Sequence, residues 1–247
     1  MTSKIQAFQG SQGDELAARL ELPAGEPRAY ALFAHCFTCS KDSRAAAYIG
    51  QALAGRGIAV LRFDFTGLGT SKGDFGGTTF SSNIGDLLAA AAHLRANYRA
   101  PQILIGHSLG GAAVLAAATQ VPEARAVATL GAPFEPRHVE HLISKGSADG
   151  GEVTIGGRTF RLHKDFLDDL TRHDPAKLIA QLGKALLILH SPRDSVVSID
   201  HAARIFMAAR HPKSFISLDD ADHLLTRAED ASYAAEVLAA WAARYLR

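Results

Sequence analysis

Apolar and polar residues alternate at positions 4–8 and again at 16–22, with Gly10 and Gly13 between them, a period of two that predicts a hairpin. Past Pro23 and Pro27 the pattern changes. Residues 29–34, 58–63, 103–105, 126–130 and 185–189 are short, continuously apolar runs, as expected of strands covered on both faces within a parallel sheet. A last strand is expected at 215–218. Ala-rich amphipathic segments at 44–55, 82–97, 109–120, 201–210 and 229–245 lie between or after these runs and predict helices. Strands alternating with helices imply right-handed crossovers and a doubly wound sheet.

Residues 134–175 break this rhythm. They offer a segment at 138–144, a hairpin of 153–155 and 158–160 around Gly156-Gly157, and an amphipathic turn at 164–170. An insertion of this length in a compact domain is expected to be a lid over a site, a surface excursion or dimer contact being the alternative.

Composition narrows the class. The chain has 247 residues, 47% of them hydrophobic, and a formal net charge of +1 from 26 basic and 25 acidic residues. Such a chain buries enough apolar surface to fold as one α/β domain over residues 1–247. A balanced charge leaves no electrostatic footprint for nucleic acid or an anionic membrane. Residues 1–10 hold no apolar signal core, and no stretch reaches the roughly 20 apolar residues of a membrane span, so a cytoplasmic protein is expected. The two cysteines, Cys36 and Cys39, are too few for a disulfide scaffold and are spaced Cys-x-x-Cys.

The chemistry-bearing motif is Gly106-His107-Ser108-Leu109-Gly110, set directly after one predicted strand and before a predicted helix. In G-x-S-x-G the serine occupies a sharp, strained turn, so the positions two before and two after it must lack side chains. The helix start also favours negative charge beside Ser108. A nucleophilic serine of this kind has its acid and then its histidine downstream. Asp194, in the loop after 185–189, is the expected acid, and His223, in the loop after 215–218, the expected base. Asp219, Asp220 and Asp222 are weaker candidates, Asp222 because it adjoins His223. Asp64 reads as a turn residue bonding to the loop that follows it, and His190, ending a strand, as a support or a purely structural residue.

Acyl transfer needs two donors for a developing oxyanion. The Leu109 N–H is one, and the Phe37 N–H, in His35-Cys36-Phe37-Thr38-Cys39-Ser40, the other. Phe37, His107, Phe134, Phe166 and Leu224 are the candidates for contact with substrate.

Four segments carry a family resemblance: His35 to Asp42, Leu61 to Gly69 (Leu-Arg-Phe-Asp-Phe-Thr-Gly-Leu-Gly), Ile105 to Gly111, and Ala221 to Thr226. They resemble the hydrolase half of bacterial bifunctional proteins that fuse an α/β-hydrolase to an OsmC-type peroxidase-like domain. They are similar, less closely, to cinnamoyl and feruloyl esterases. The resemblance implies an α/β-hydrolase fold: an eight-stranded, mostly parallel sheet with its second strand antiparallel, flanked by helices and carrying a small inserted lid at 134–175. It also implies a serine esterase with Ser108, Asp194 and His223 as triad, no metal and no organic cofactor. Cys36 stands where most such esterases have glycine. The chain stops at Arg247, so the expectation is a hydrolase without the fused half, and no redox role is carried over from it.

The expected reaction is hydrolysis of short or medium acyl, or aromatic, esters through an acyl-enzyme on Ser108. The partner is then a small-molecule ester, not nucleic acid or membrane, with a homodimer left open. Two alternatives belong to other classes: thiol-redox chemistry or redox regulation at the Cys36/Cys39 pair, and a non-catalytic partner of a separate peroxidase-like protein.

Overall fold

The computed structural model describes residues 1–36, 39–142, 150–155 and 158–246. Every residue of β3 (Ala29–Ala34) is buried. Leu32 and Ala34 belong to one hydrophobic cluster and Ala31 and Phe33 to another, because successive strand side chains leave opposite faces. In this sheet β3 and β4 (Ile58–Phe63) are covered on both sides, so every residue of both is buried and all but Arg62 of β4 are apolar.

Eight strands form one sheet in the order β1 (Thr2–Gln9), β2 (Glu15–Leu22), β4, β3, β5 (Ile103–His107), β6 (Ala126–Leu130), β9 (Ala185–His190) and β10 (Lys213–Ser217). β2 runs antiparallel to β1 and β4, while the remaining pairings are parallel. On one face α1 (Arg44–Gly55) and α7 (Ala228–Ala242) bury Ile49, Leu53, Ala235 and Leu238. On the other, α2 (Phe80–Asn97), α3 (Leu109–Ala117), α5 (Pro175–Ala180) and α6 (Asp200–Ala208) bury Leu87, Leu94, Val114, Ile179 and Ile205. Each such leucine or isoleucine contributes about 1.5–3 kcal/mol of burial. Among the described residues no helix is long and apolar enough to cross a membrane.

The insertion between β6 and β9 holds a 3-10 segment (Pro136–Leu142), the antiparallel pair β7 (Gly150–Ile155) and β8 (Arg158–His163), and α4 (Lys164–Leu170). Residues 143–144 of the first of these segments and the Gly156-Gly157 turn lie outside the described residues. Asp169 ties the insertion to the start of α2, accepting from Ser81 N at 2.6 Å and Ser81 Oγ at 2.9 Å. Phe75 packs edge-on to Phe160, with ring centroids 5.3 Å apart.

Several boundaries differ from the pattern. The helix expected from 82 begins at Phe80, since Thr79 and Ser82 form a reciprocal capping box. The helix expected to run to 120 is α-helical only to Ala117 and closes as a 3-10 turn (Ala118–Gln120). α5, not anticipated, starts on Pro175 with Asp174 capping the Lys177 N–H. β10 lies two residues earlier at its start than expected, because its burial as an edge strand is only partial.

Candidate active site

β5 delivers the chain to Ser108 in a backbone conformation (φ 54°, ψ −125°) that side-chain-bearing residues rarely adopt. The turn is possible because its flanks are bare. A Cβ on Gly106 would lie 2.2 Å from Gly110 O, and one on Gly110 would lie 2.4 Å from both Ala34 O and His35 O. Ser108 N donates to Leu130 O at 2.8 Å, holding the turn to the end of β6.

Loops after β9 and β10 bring two more residues to this point. Asp194 Oδ2 accepts from His223 Nδ1 at 2.7 Å, and His223 Nε2 lies 3.0 Å from Ser108 Oγ. A carboxylate only accepts, so Nδ1 carries the proton and Nε2 is left to accept from the hydroxyl. Asp194 Oδ1 accepts from Val196 N at 2.9 Å and Val197 N at 2.8 Å. Burial alone raises the Asp194 carboxyl, but the bonds from His223 and from these amides outweigh it and hold its pKa below the usual value. Gly131 comes close to both: a Cβ there would lie 3.1 Å from Asp194 Oδ2 and 3.3 Å from His223 Nδ1.

The three residues read as candidates from chain order are thus hydrogen-bonded in series, while two of their acidic rivals are engaged elsewhere. Asp222 bonds to Thr226 N and Oγ1, and Asp220 pairs with Arg193 at 3.3 Å. His107, expected beside substrate, is instead buried under the site. Its Nε2 donates to His223 O at 2.7 Å, and burial together with the neighbouring His223 pushes its pKa down to about 4.

The Leu109 N–H is the first amide of α3, where helix amides have no acceptor earlier in the helix. Phe37, the other expected donor and a candidate substrate contact, lies outside the described residues. Its neighbours Cys36 and Cys39 are joined in a disulfide. Cys36 is buried and Cys39 half-buried. Cys36 O accepts from His35 Nδ1 at 2.6 Å and Cys39 N at 3.1 Å.

Beyond this turn the chain is anchored by Asp64, whose carboxylate takes the Lys41 amide at 2.6 Å, the Lys41 ammonium at 3.0 Å and the Thr70 amide at 3.0 Å. Burial opposes the Lys41 charge, but the bonds to Asp42 and Asp64 outweigh it and raise its pKa. A turn residue bonding its following loop was the sequence reading of Asp64; its hold on the segment before it was not foreseen.

Ligand-type atoms of Cys36, Cys39 and His107 lie within 4.8 Å of one another. A disulfide offers no thiolate, so these residues as arranged do not fit a metal.

The remaining substrate candidates are dispersed. Phe134 is half-buried, lies under the Arg204 guanidinium at 4.3 Å, and lines a small apolar cavity with Phe80, Ala112 and Leu178. Leu224, beside His223, is 43% exposed. Phe166 is fully buried, its ring centroid 6.4 Å from that of Phe75. It is core of the insertion because the aromatic face of α4 turns inward rather than toward an opening.

The sheet order, the strained serine turn and the three-residue series define a serine hydrolase of the α/β-hydrolase fold. The chain belongs to the serine aminopeptidase, S33, family, whose model matches residues 25–148. The esterase domain of a Rhodothermus marinus protein is 51% identical, covers 100% of both chains and superposes with a TM-score of 0.85. Est1E from Butyrivibrio proteoclasticus, solved with ferulic acid bound, is 19% identical over 97% of this chain and 98% of its own, with a TM-score of 0.84. XC6422 from Xanthomonas campestris, described as a serine hydrolase without a lid, is 19% identical over 98% of this chain and 95% of its own, with a TM-score of 0.69. No curated protein matches the sequence.

Proposed function

We propose that the chain is one hydrolase domain that cleaves carboxylic esters through an acyl-enzyme on Ser108. The observation that carries this reading is the series Ser108–His223–Asp194, with contacts of 3.0 and 2.7 Å. His223 takes the hydroxyl proton as Ser108 attacks the carbonyl, Asp194 holds the imidazole and stabilises its charge, and water then releases the acid. The Leu109 and Phe37 amides receive the oxyanion, one such donor being worth about 2.7–4 kcal/mol in other serine hydrolases. Residues 134–175 act as a lid, with Phe134 and Leu224 on the substrate side and Phe166 supporting from beneath. The 51% identity to an esterase domain supports an ester rather than a peptide as substrate.

Labelling with a fluorophosphonate probe tests the nucleophile. Wild type labels and Ser108→Ala does not; equal labelling of both removes Ser108 from the role. A series of p-nitrophenyl esters run beside amino-acid p-nitroanilides tests the substrate class. Turnover is expected on acetate to hexanoate and aromatic esters, and preference for the anilides or for long acyl chains refutes it.

The disulfide supports a second reading, redox control of this same hydrolysis. A cytoplasmic location would place a half-buried disulfide among thiol reductants, where such bonds are rarely permanent. On this reading dithiothreitol and Cys36→Ser both change kcat; no change in either removes it.

A further inference from the structure

Four residues before Asp194, the last residue of β9 is a histidine with none of its surface exposed. His190 Nε2 donates to Val197 O at 2.8 Å, since a carbonyl only accepts. Its other nitrogen, Nδ1, is buried with no hydrogen-bond partner among the described residues. Leaving such an atom unsatisfied costs about 1–3 kcal/mol. The preceding β9 residues, Leu186 to Leu189, are aliphatic, so packing alone does not call for an imidazole here.

The neighbourhood of Asp194 accounts for it. His190 Nε2 is 3.6 Å from Asp194 Oδ2, the oxygen that receives the His223 proton. The carbonyl it holds belongs to Val197, whose own amide grips Asp194 Oδ1 at 2.8 Å. The His190 ring therefore closes a circuit around the carboxylate: Oδ1 to the Val197 amide, Val197 carbonyl to Nε2–H, and Nε2–H facing Oδ2. His190 O also accepts from Leu218 N at 2.9 Å, at the start of the segment that leads to His223. One residue is thus bonded to the acid-bearing turn through its side chain and to the base-bearing segment through its backbone. The charged and titratable groups that act on it are Asp194, His223 and His201, and burial keeps its ring neutral near pH 7. A cation there would compete with the His223 imidazolium for the same carboxylate.

We infer that His190 is a positioning residue: by holding the Val197 carbonyl it fixes the turn that clamps one Asp194 oxygen and presents the other to His223. The inference rests on the proposed roles of Ser108, His223 and Asp194. Its effect is on the reaction step and leaves substrate binding alone.

The test compares five variants on p-nitrophenyl acetate, with kcat, KM, the low-field proton resonance of the His223–Asp194 bond and a thermal melt for each. Ser108→Ala and Asp194→Asn establish the site. His190→Phe removes the donor, and kcat should fall about tenfold to a hundredfold with KM little changed, as expected when a catalytic group is displaced by a fraction of an ångström. The low-field proton should broaden or vanish. His190→Gln carries an amide nitrogen near the Nε2 position and should restore kcat and the resonance. His190→Asn, whose amide sits near Nδ1, should not. The Gln and Asn pair decides the matter even if His190→Phe fails to fold. Activity kept by Ser108→Ala overturns the underlying hydrolase reading, and the inference with it. Loss in Ser108→Ala and Asp194→Asn, with equal rates in His190→Gln and His190→Asn or an unaltered His190→Phe, overturns the inference alone.

Discussion

His107 Nε2 donates to the main-chain carbonyl of His223 across 2.7 Å, so the residue before the serine holds the backbone of the residue that reaches the serine hydroxyl. The burial of this ring has a pH cost, which the tie itself only partly offsets. Burial and the nearby His223 lower the His107 pKa from 6.5 to about 4. Between those values the unfolded chain binds a proton that the folded chain refuses, so stability rises with pH through this window and is flat below it. A shift of this size corresponds to about 3 kcal/mol. Urea denaturation from pH 4 to 7 should show that slope, and His107→Gln, which has no titration, should reduce it, His201, also lowered to about 4, supplying part of the remainder. An unchanged slope in the variant assigns the acid sensitivity to other groups.

Asp194→Asn keeps the size of the side chain but puts an amide where the carboxylate accepts the His223 proton. The wrong tautomer of His223 then faces Ser108, and kcat should fall about 10⁴-fold, as in other triads. Steady-state kinetics with a thermal melt as control measures this. A loss below tenfold in a fully folded variant would separate Asp194 from the chemistry.

Gly106→Ala and Gly110→Ala place a methyl 2.2 Å and 2.4 Å from backbone oxygens that cannot move without moving α3 or the end of β3. Each should cost about 3 kcal/mol or more, the range of severe core lesions. At Gly25 nothing lies within 4 Å, so Gly25→Ala should melt with wild type. The melts of the three, measured side by side, test the close approach directly.

Arg62 is almost fully buried and its guanidinium meets Glu21 at 2.6 Å and the Lys41 carbonyl. Glu21→Ala leaves that charge only the half-exposed Asp42 carboxylate, 3.9 Å away, and should cost about 3–5 kcal/mol. The Arg95–Glu123 pair is as short, at 2.6 Å, yet exposed, and Glu123→Ala should cost about 1 kcal/mol or less. Equal losses in chemical denaturation would remove burial as the deciding factor.

Much of this layout was legible in the sequence because the central strands are covered on both sides. The runs at 29–34 and 58–63 match β3 and β4 residue for residue. β10 was misplaced because none of the positions of this edge strand is fully buried, and α5 was missed because six residues give too short a periodic signal, although Asp174-Pro175 marks its start. Ser108, His223 and Asp194 were legible from chain order and from the loops that follow strands. The residues that hold them were not. His190 reaches Val197 only through the turn between them, Asp64 reaches Lys41 across 23 positions, and whether two cysteines three apart are joined depends on geometry that spacing does not carry.

The backbone at Ser108 sits in a region that residues with side chains avoid, at a standing cost of about 1–3 kcal/mol met by the surrounding packing. Glycine would accept the same angles without strain and would abolish the hydroxyl. On the proposed function, robustness and reactivity pull this one position in opposite directions: a sturdier fold alone would favour glycine at residue 108, and a demand for the hydroxyl's chemistry would keep serine there.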